Sequence, residues 1–319
     1  MKGTSVKRVL YEETAFNTAP GTPSGTLIDA LSDGIVASQS LERDETLRVE
    51  RGQGEPARGN VDVSGPLKTY ISPEQTPVLL KHALGAPTAT GAGPYVHTFV
   101  PGDLPVSFRW ERDYSRGITG NGAFEQLGGE RISGFTLNIP QSGWPTIDWD
   151  VKGSSQKLDN AALDATPTDL GYSPLRALEG VLKEGGATLA KAVSASIKLD
   201  NDLDTERYGI GSGERVDMDE GHCMVDVELD VMFDDPALLV KAEAATATSL
   251  TYTLSRGDGG GTAGNESVEV QVENLTYERA SVPVEGPKGL NIKLRGQGWF
   301  KVSDSSFFKV IVKNQQATI

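Results

Sequence analysis

Apolar and polar residues alternate with a period of two through much of this chain. Val61, Val63 and Leu67 alternate with Asp62, Ser64 and Lys68, and Val225, Val227, Leu229 and Val231 alternate with Asp226, Glu228 and Asp230. That pattern predicts strands with one packed face and one wet face. Further strands are expected at 35–41, around Phe108 and Trp110, at Phe135, Leu137 and Ile139, and at Ile147, Trp149 and Val151, with polar residues such as Arg109, Thr136, Asp148 and Asp150 between them. Later ones fall at 193–199, at 250–254, at Val268, Val270 and Val272, at Leu290, Ile292 and Leu294, and at 307–312.

A short pattern occurs twice among these strands. Thr76-Pro77-Val78-Leu79-Leu80 returns as Asp235-Pro236-Ala237-Leu238-Leu239, each time just after an alternating stretch. A cap-type residue, a proline suited to the first helical position and a leucine pair predict a short helix in both places. Ser72, Pro73 and Gln75 match a capping box for the first helix, Thr76 offers a second start, and Gly85 a stop; the second helix runs to about Ala244. A third helix is expected inside the connection, opened by Ser173 and Pro174, striped by Leu175, Leu178, Val181 and Leu182, and ended by Gly185-Gly186. Each repeat also carries a long charged loop, 42–58 and 200–220. Asn138-Ile139 and Asn274-Leu275 fall at matching places, as do Gly153 and Gly296.

The organisation this implies is an N-terminal arm at 1–34, a first domain at 35–157, a helical linker at 158–190 and a second domain at 191–319. The arm contains the breaker cluster Ala19-Pro20-Gly21-Thr22-Pro23-Ser24-Gly25 and is expected to pack on something else. With 319 residues, two domains of ordinary size each bury a core. The 37 glycines and 17 prolines suit many short strands joined by turns and make an all-helical fold a poor fit. The expected fold class is mainly β: two tandem sandwich or barrel-like domains, each with a short helix.

The net charge of -14 is spread along the sequence without a long acidic run, which opposes non-specific nucleic-acid binding by phosphate counterion release. The lone Cys223 excludes an internal disulfide. No secretory leader pattern opens the sequence, and no window approaches 18 apolar residues, so a soluble cytoplasmic product without a membrane span is expected.

Candidate chemistry is sparse. His82, His97 and His222 lie far apart, and His222 beside Cys223 points to the opposite face of a strand, which leaves a metal or nucleophile reading without a second ligand pair. Asp200-Asn201-Asp202-Leu203-Asp204 begins like a calcium loop, but Thr205 and Gly211 stand where the glycine and glutamate belong. Gly209-Ile210-Gly211-Ser212-Gly213 lacks a strand before it and a helix after it. No pair of carboxylates stands apart from the rest as a hydrolytic pair. No enzymatic activity, metal or cofactor is expected.

In its order of elements the chain resembles the tail tube proteins of long-tailed, siphovirus-type bacteriophages. The residues that carry this are Glu12-Glu13-Thr14-Ala15-Phe16, Gly59-Asn60-Val61-Asp62-Val63-Ser64-Gly65 with the helix after it, and Ser196-Ile197-Lys198-Leu199-Asp200-Asn201 with the stretch 225–242. The resemblance covers nearly the whole chain. It implies a structural virion protein, assembled in the bacterial host cytoplasm, whose sheets join those of neighbours in a ring and whose rings stack into a hollow tube for DNA delivery. Two tube domains in one chain imply a trimer with pseudo-sixfold symmetry; a hexamer of single-domain chains is the fallback. Tape measure, tail terminator and tail tip proteins are the implied partners, with genomic DNA passing unbound. The alternatives are another ring-forming virion part, such as a neck or tail terminator protein, and, in a different class, a β-rich binding or adhesion module.

Within that resemblance, Asp62, Asp226, Glu228 and Asp230 are expected to face the channel, where carboxylates repel phosphates; the other reading makes them ordinary solvent-facing positions. The charged loops, with Glu42, Arg43, Asp44, Glu50 and Arg51 in one and Asp202, Asp204, Glu206 and Arg207 in the other, are expected to reach the next ring.

Overall fold

Strand forms wherever the alternation runs, and in several places where it does not. The structure is a computed structural model, and it describes residues 2–49, 51–284, 289–303 and 306–319. The first half holds β1 (Lys7–Glu13), β2 (Thr26–Leu27), β3 (Ser32–Asp33), β4 (Val36–Glu42), β5 (Ala57–Tyr70), helix α1 (Thr76–Leu84), β6 (Thr88–Thr90), β7 (Tyr95–Phe99), β8 (Ser107–Asp113), β9 (Phe124–Pro140), β10 (Thr146–Gly153) and β11 (Ser155–Asp159). The second half holds β12 (Gly180–Glu184), β13 (Ala187–Thr188), β14 (Ala192–Asp200), β15 (Met224–Met232), helix α2 (Ala237–Glu243), β16 (Thr248–Ser255), β17 (Ser267–Tyr277), β18 (Asn291–Gly298) and β19 (Phe308–Asn314). Every ladder between these strands is antiparallel.

The same pairing order occurs twice. β4 pairs with β5, β5 with β10, β10 with the later part of β9, and the earlier part of β9 with β8. In the second half β14 pairs with β15, β15 with β18, β18 with the end of β17, and the body of β17 with β16. A helix follows the second strand in both. The halves are joined edge to edge, because residues 134–140 of β9 also pair with β14, and the C-terminal β19 bridges β17 to β7.

Register ties the two halves together residue by residue. Val63 stands opposite Gly153, and Val227 opposite Gly296. A Cβ on Gly153 would lie 2.4 Å from the Glu130 carboxylate, and one on Gly296 would lie 2.9 Å from the Tyr277 ring. In each half a large side chain therefore lies across the neighbouring strand, and only glycine leaves it room. The expected match of Gly153 with Gly296 holds. The match of Asn138 with Asn274 does not: with Glu130 equivalent to Tyr277, Asn274 corresponds to Leu127.

One continuous hydrophobic core runs through both halves. Val63, Leu67, Phe135, Leu137, Trp149 and Val151 belong to it together with Ile197, Leu199, Val227, Leu229, Val270 and Val310. α1 lies inside this core with every residue buried except Lys81, whereas α2 buries only Ala242 fully.

Two expectations are corrected by the fold. The helix expected from Ser173 to Gly185-Gly186 is instead a single 3-10 turn at Ala177–Glu179 followed by the β12–β13 hairpin. Leu178 is exposed and Leu182 buried, and the two glycines take positive φ (56° and 81°), so the pair makes a hairpin turn between strands where a helix stop was expected. The arm expected to pack on something else packs on its own chain through β1, where Val9, Leu10 and Tyr11 are buried and the strand pairs with β8 along its whole length. α1 starts at Thr76 without a capping box, because the Gln75 side chain is bonded to Asp29 and to the Gly171 carbonyl.

Candidate assembly surfaces

The two charged loops sit very differently. Residues 201–223 fold back over the first half of the chain. Arg215, 5 % exposed, anchors them: its Nη1 donates to the Gly153 carbonyl at 2.6 Å, its Nε to Thr205 at 2.7 Å, and its Nη2 pairs with Asp62. The Tyr208 ring stacks under the same guanidinium, and the N–H of Val61 donates to Gly213 at 2.7 Å. At the loop's other end Arg131 donates to the carbonyls of Val106 and Met218 and reaches Glu220 at 3.2 Å. Of the residues expected to reach a neighbouring ring, Asp202, Asp204, Glu206 and Arg207 are all exposed, with Arg207 paired to Asp219. Among the described residues of 43–56 there is no such anchorage. Glu42, Arg43 and Arg51 are exposed, and Leu47 and Val49 are 99 % and 100 % exposed. Asp44 receives the hydroxyl and amide of Thr46 and pairs with Arg48, which holds its carboxyl below the ordinary value. Glu50 lies outside the described residues.

Asp62, Asp226, Glu228 and Asp230 share the wet face of one sheet made of β5, β10, β9, β14, β15 and β18. Across β9, β14, β15 and β18 this face is a shallow cleft lined by residues that include Asn138, Ser196, Glu228, Asp230, Lys293 and Arg295. It is less uniformly acidic than the sequence suggested. Asp148, Asp150 and Asp200 add to the four acids, but Lys68, Lys152, Lys198, Lys293 and Arg295 stand among them. Lys68 meets Asp148 at 3.1 Å, Lys152 meets Asp150 at 3.1 Å, and Arg295 meets Glu228 at 3.0 Å. Burial works against the Asp62 carboxylate, yet the bonds from Arg215 and Ser64 outweigh it and hold its carboxyl below the ordinary value. Among the described residues, Asp226 and Asp230 have no ion pair.

A buried charge cluster at β1, β8 and β9 was not foreseen from the sequence. Arg109, expected on a wet face, is 5 % exposed and meets Glu13 at 2.9 Å; Glu13 also accepts from the Ser107 hydroxyl at 2.6 Å and the Gly129 amide at 3.1 Å. Arg112 bridges Asp33 and Glu125. Glu130 is fully buried, and neither of its carboxylate oxygens has a hydrogen-bond partner. Burial raises its carboxyl well above the ordinary value, with the Arg112 charge opposing and that of Glu13 adding. Both faces of β8 are covered here, one by the core and one by residues such as Asn17, whose carbonyl accepts from Arg109. Two-period reading assumes one wet face, so it misplaced these residues.

Among the described residues, no cluster of reacting groups comes together. His82 is buried against Phe108, with burial lowering it to about 3, and the Cys223 thiol is pushed up to about 12 by burial. Among the described residues no group of three His, Cys, Asp or Glu is placed to hold a metal, and no helix is long and apolar enough to cross a membrane. The amide of Asn201 in the calcium-like run is turned inward to the carbonyls of Ala83 and Ile132.

A repeated antiparallel sheet whose halves interlock edge to edge, with an open strand left at its margin, defines a β-structural protein suited to building larger assemblies. The chain belongs to the phage tail tube protein family, whose pattern it matches over residues 4–298. No curated protein matches it. Its role is that of a structural component of the virion tail, self-assembling into the tube with other tail components.

Proposed function

We propose that three copies of this chain close into a ring of pseudo-sixfold symmetry, and that rings stack into the hollow tube of a siphovirus-type tail, assembled in the host cytoplasm. In this reading each half of the chain is one tube domain. The observation that carries it is the joint between β9 and β14. There the first strand of one repeat adds to the fourth strand of the other, a heterologous contact that closes a ring when the same rotation is repeated. Six equivalent repeats then need three chains.

The wet face of the sheet lines the bore. Its carboxylates (Asp62, Asp148, Asp150, Asp200, Asp226, Glu228, Asp230 and Glu278) are interleaved with cations (Lys68, Arg131, Lys152, Lys198, Lys293 and Arg295). Alternating pairs of this kind leave no run of free Lys or Arg to grip phosphates, which suits a passage that duplex DNA must leave as easily as it enters. The exposed tips of the charged loops, Glu42, Arg43, Asp44 and Arg51 in one and Asp202, Asp204, Glu206 and Arg207 in the other, are placed to meet neighbouring copies. Tape measure protein inside the bore, and terminator and tip proteins at the ends, complete the assembly. No enzymatic step is required of it.

Negative-stain microscopy of concentrated protein, with native mass measurement, tests this. Rings with six lobes and the mass of three chains are expected. Rings of six chains, or a monomer at every concentration, would refute it.

A further inference from the structure

The joint between the repeats has both of its halves occupied inside one chain only once. β14 adds to β9, and the loop after β14 lies over β5 and β10. The equivalent partners at the chain's margins stand open. β4, the counterpart of β14, pairs only with β5 among the described residues. Residues 278–284, which follow β17 as 131–137 follow Glu130 in β9, lie in no ladder, although the Glu278 N–H still donates to Arg295 of β18 at 2.7 Å.

Backbone directions fit. Asn201 donates to Ser133 at 2.7 Å, so the odd-numbered residues of β9, Phe135 and Leu137 among them, offer their backbone groups to β14. Phe135 lies five residues beyond Glu130; Val282 lies five beyond Tyr277. β9 carries a bulge here, with Asp150 opposite Gly134 and Val151 opposite Ile132, so that Ser133 is the extra residue and the backbone orientation switches. With the same bulge at Ala280, Val282 and Val284 take the outward positions, and Pro283, which has no N–H, faces β18. Just before β4, Gly34 donates to Pro66 of β5 at 2.8 Å, and Val61, opposite Gln39, sends its N–H to Gly213 and not to β4. Ala37 and Gln39 are left with outward-facing backbone groups. Ala37 is also the counterpart of Ile197, since the two stand opposite Val63 and Val227.

The loops agree in sequence. Glu214-Arg215 has its match in Glu50-Arg51, and each arginine stands twelve residues ahead of the valine opposite the tight glycine, Val227 and Val63. Asp62 and Asp226 each directly precede that valine. Arg215 is paired with Asp62; Arg51 and Asp226 are both exposed.

We propose that a second copy of the chain docks head to tail at this margin: its β4 adds to residues 278–284, with Gln39 opposite Val282 and Ala37 opposite Val284, and its Arg51 pairs with Asp226. This rests on the ring reading above and names the edges that close the ring. The same step covers Leu47 and Val49, which the free chain leaves in water.

Two measurements test it in full-length protein. Gln39→Cys with Val282→Cys, in a Cys223→Ser background, is expected to cross-link on oxidation into covalent dimers and trimers, while either cysteine alone is not. Arg51→Glu is expected to raise the concentration for half-assembly at least tenfold, and Asp226→Arg added to it to restore assembly. Both sites are at the surface of the free chain, and circular dichroism checks that the fold is unchanged. If wild-type rings form while the cysteine pair stays monomeric under denaturing conditions and Arg51→Glu assembles normally, this assignment is overturned and the ring reading stands. Wild-type protein that never leaves the monomer overturns both.

Discussion

Replacing Arg215 by alanine should detach residues 201–223 from the first half of the chain. The guanidinium donates to three carbonyls, those of Gly153, Val63 and Thr205, and pairs with Asp62. Breaking a fully buried ion pair costs about 3–5 kcal/mol, because the remaining charge is left dry. That is an upper bound here, since the Asp62 side chain is 46 % exposed and regains water. What remains is the loss of charge-assisted bonds and the stranding of the Gly153 carbonyl, about 3 kcal/mol in all. At about 2 °C per kcal/mol, scaled from large single domains, the melting temperature falls by about 6 °C. Detachment also has a local readout: Arg207, already exposed, should become a fast trypsin site once the loop loses its footing, and cleavage there is followed by mass spectrometry. Arg215→Lys should recover less than half of the loss, because a lysine cannot reach Asp62 and the carbonyls together. A variant with wild-type melting and an unchanged cleavage rate at Arg207 would show that the loop is held by something other than this arginine.

Glu130→Gln should flatten one part of the pH–stability curve. Burial raises the Glu130 carboxyl above its ordinary value of 4.5, so its contribution to stability is complete below 4.5 and is lost as pH rises through its folded value. Denaturant titrations should therefore show wild type losing ground to the glutamine variant as pH rises from about 4, and parallel curves would count against a raised carboxyl. Gly153→Ala forces a methyl against that same carboxylate and Gly296→Ala against the Tyr277 ring and the Thr276 carbonyl, so each should cost about 1–3 kcal/mol by chemical denaturation; neutral outcomes would mean that the strands part easily. Lys241→Met should uncouple α2 from the β12–β13 hairpin, because it removes bonds of 2.6 and 2.7 Å to Glu184, a carboxylate only 8 % exposed; faster amide exchange confined to α2 and 180–188 is the expected signature. Glu228→Lys with Asp230→Lys should make assembled tubes retain duplex DNA in a salt-dependent manner, and tubes that still ignore DNA would remove this face from the bore.

The sequence was most legible where one face is dry and one wet. β5, β14, β15 and β18 follow the two-residue period, and the proline-leucine pattern located both helices. Gly153 and Gly296 were matched correctly from spacing alone, and the structure supplies the cause in Glu130 and Tyr277. Reading failed where both faces of a strand are covered. β1 and β8 are buried on two sides, and their charges are paired internally, as Glu13 with Arg109 and Asp33 with Arg112. A stripe at 175–182 also fits a helix and a turn-plus-strand equally well, and Gly185-Gly186 decides for the hairpin only once Tyr252 and its neighbours in β16 are there to pair with. The four candidate acids share one wet face of the sheet, but the cations beside them were overlooked because they alternate on neighbouring strands and not along one.

The joint within the chain and the proposed joint between copies use the same geometry but differ in cost. β14 reaches β9 as part of one polypeptide, so the contact forms at high effective concentration during folding. β4 reaches residues 278–284 of another copy only after losing translational freedom, and that segment must become a strand as it docks. Each open edge is also blunted against wrong partners. β4 is seven residues long and ends at Glu42 beside Arg43, and the receiving segment carries Pro283. Substituting Pro283 removes a blunting device without removing any donor the docking strand uses, since that position faces β18. Pro283→Val should therefore extend β18's pairing, pre-order the receiving segment and lower the concentration at which copies associate, at the expense of off-pathway aggregation. Slower assembly in that variant would mean that the proline is needed at the joint itself, and that residues 278–284 meet their partner in a register other than Gln39 opposite Val282.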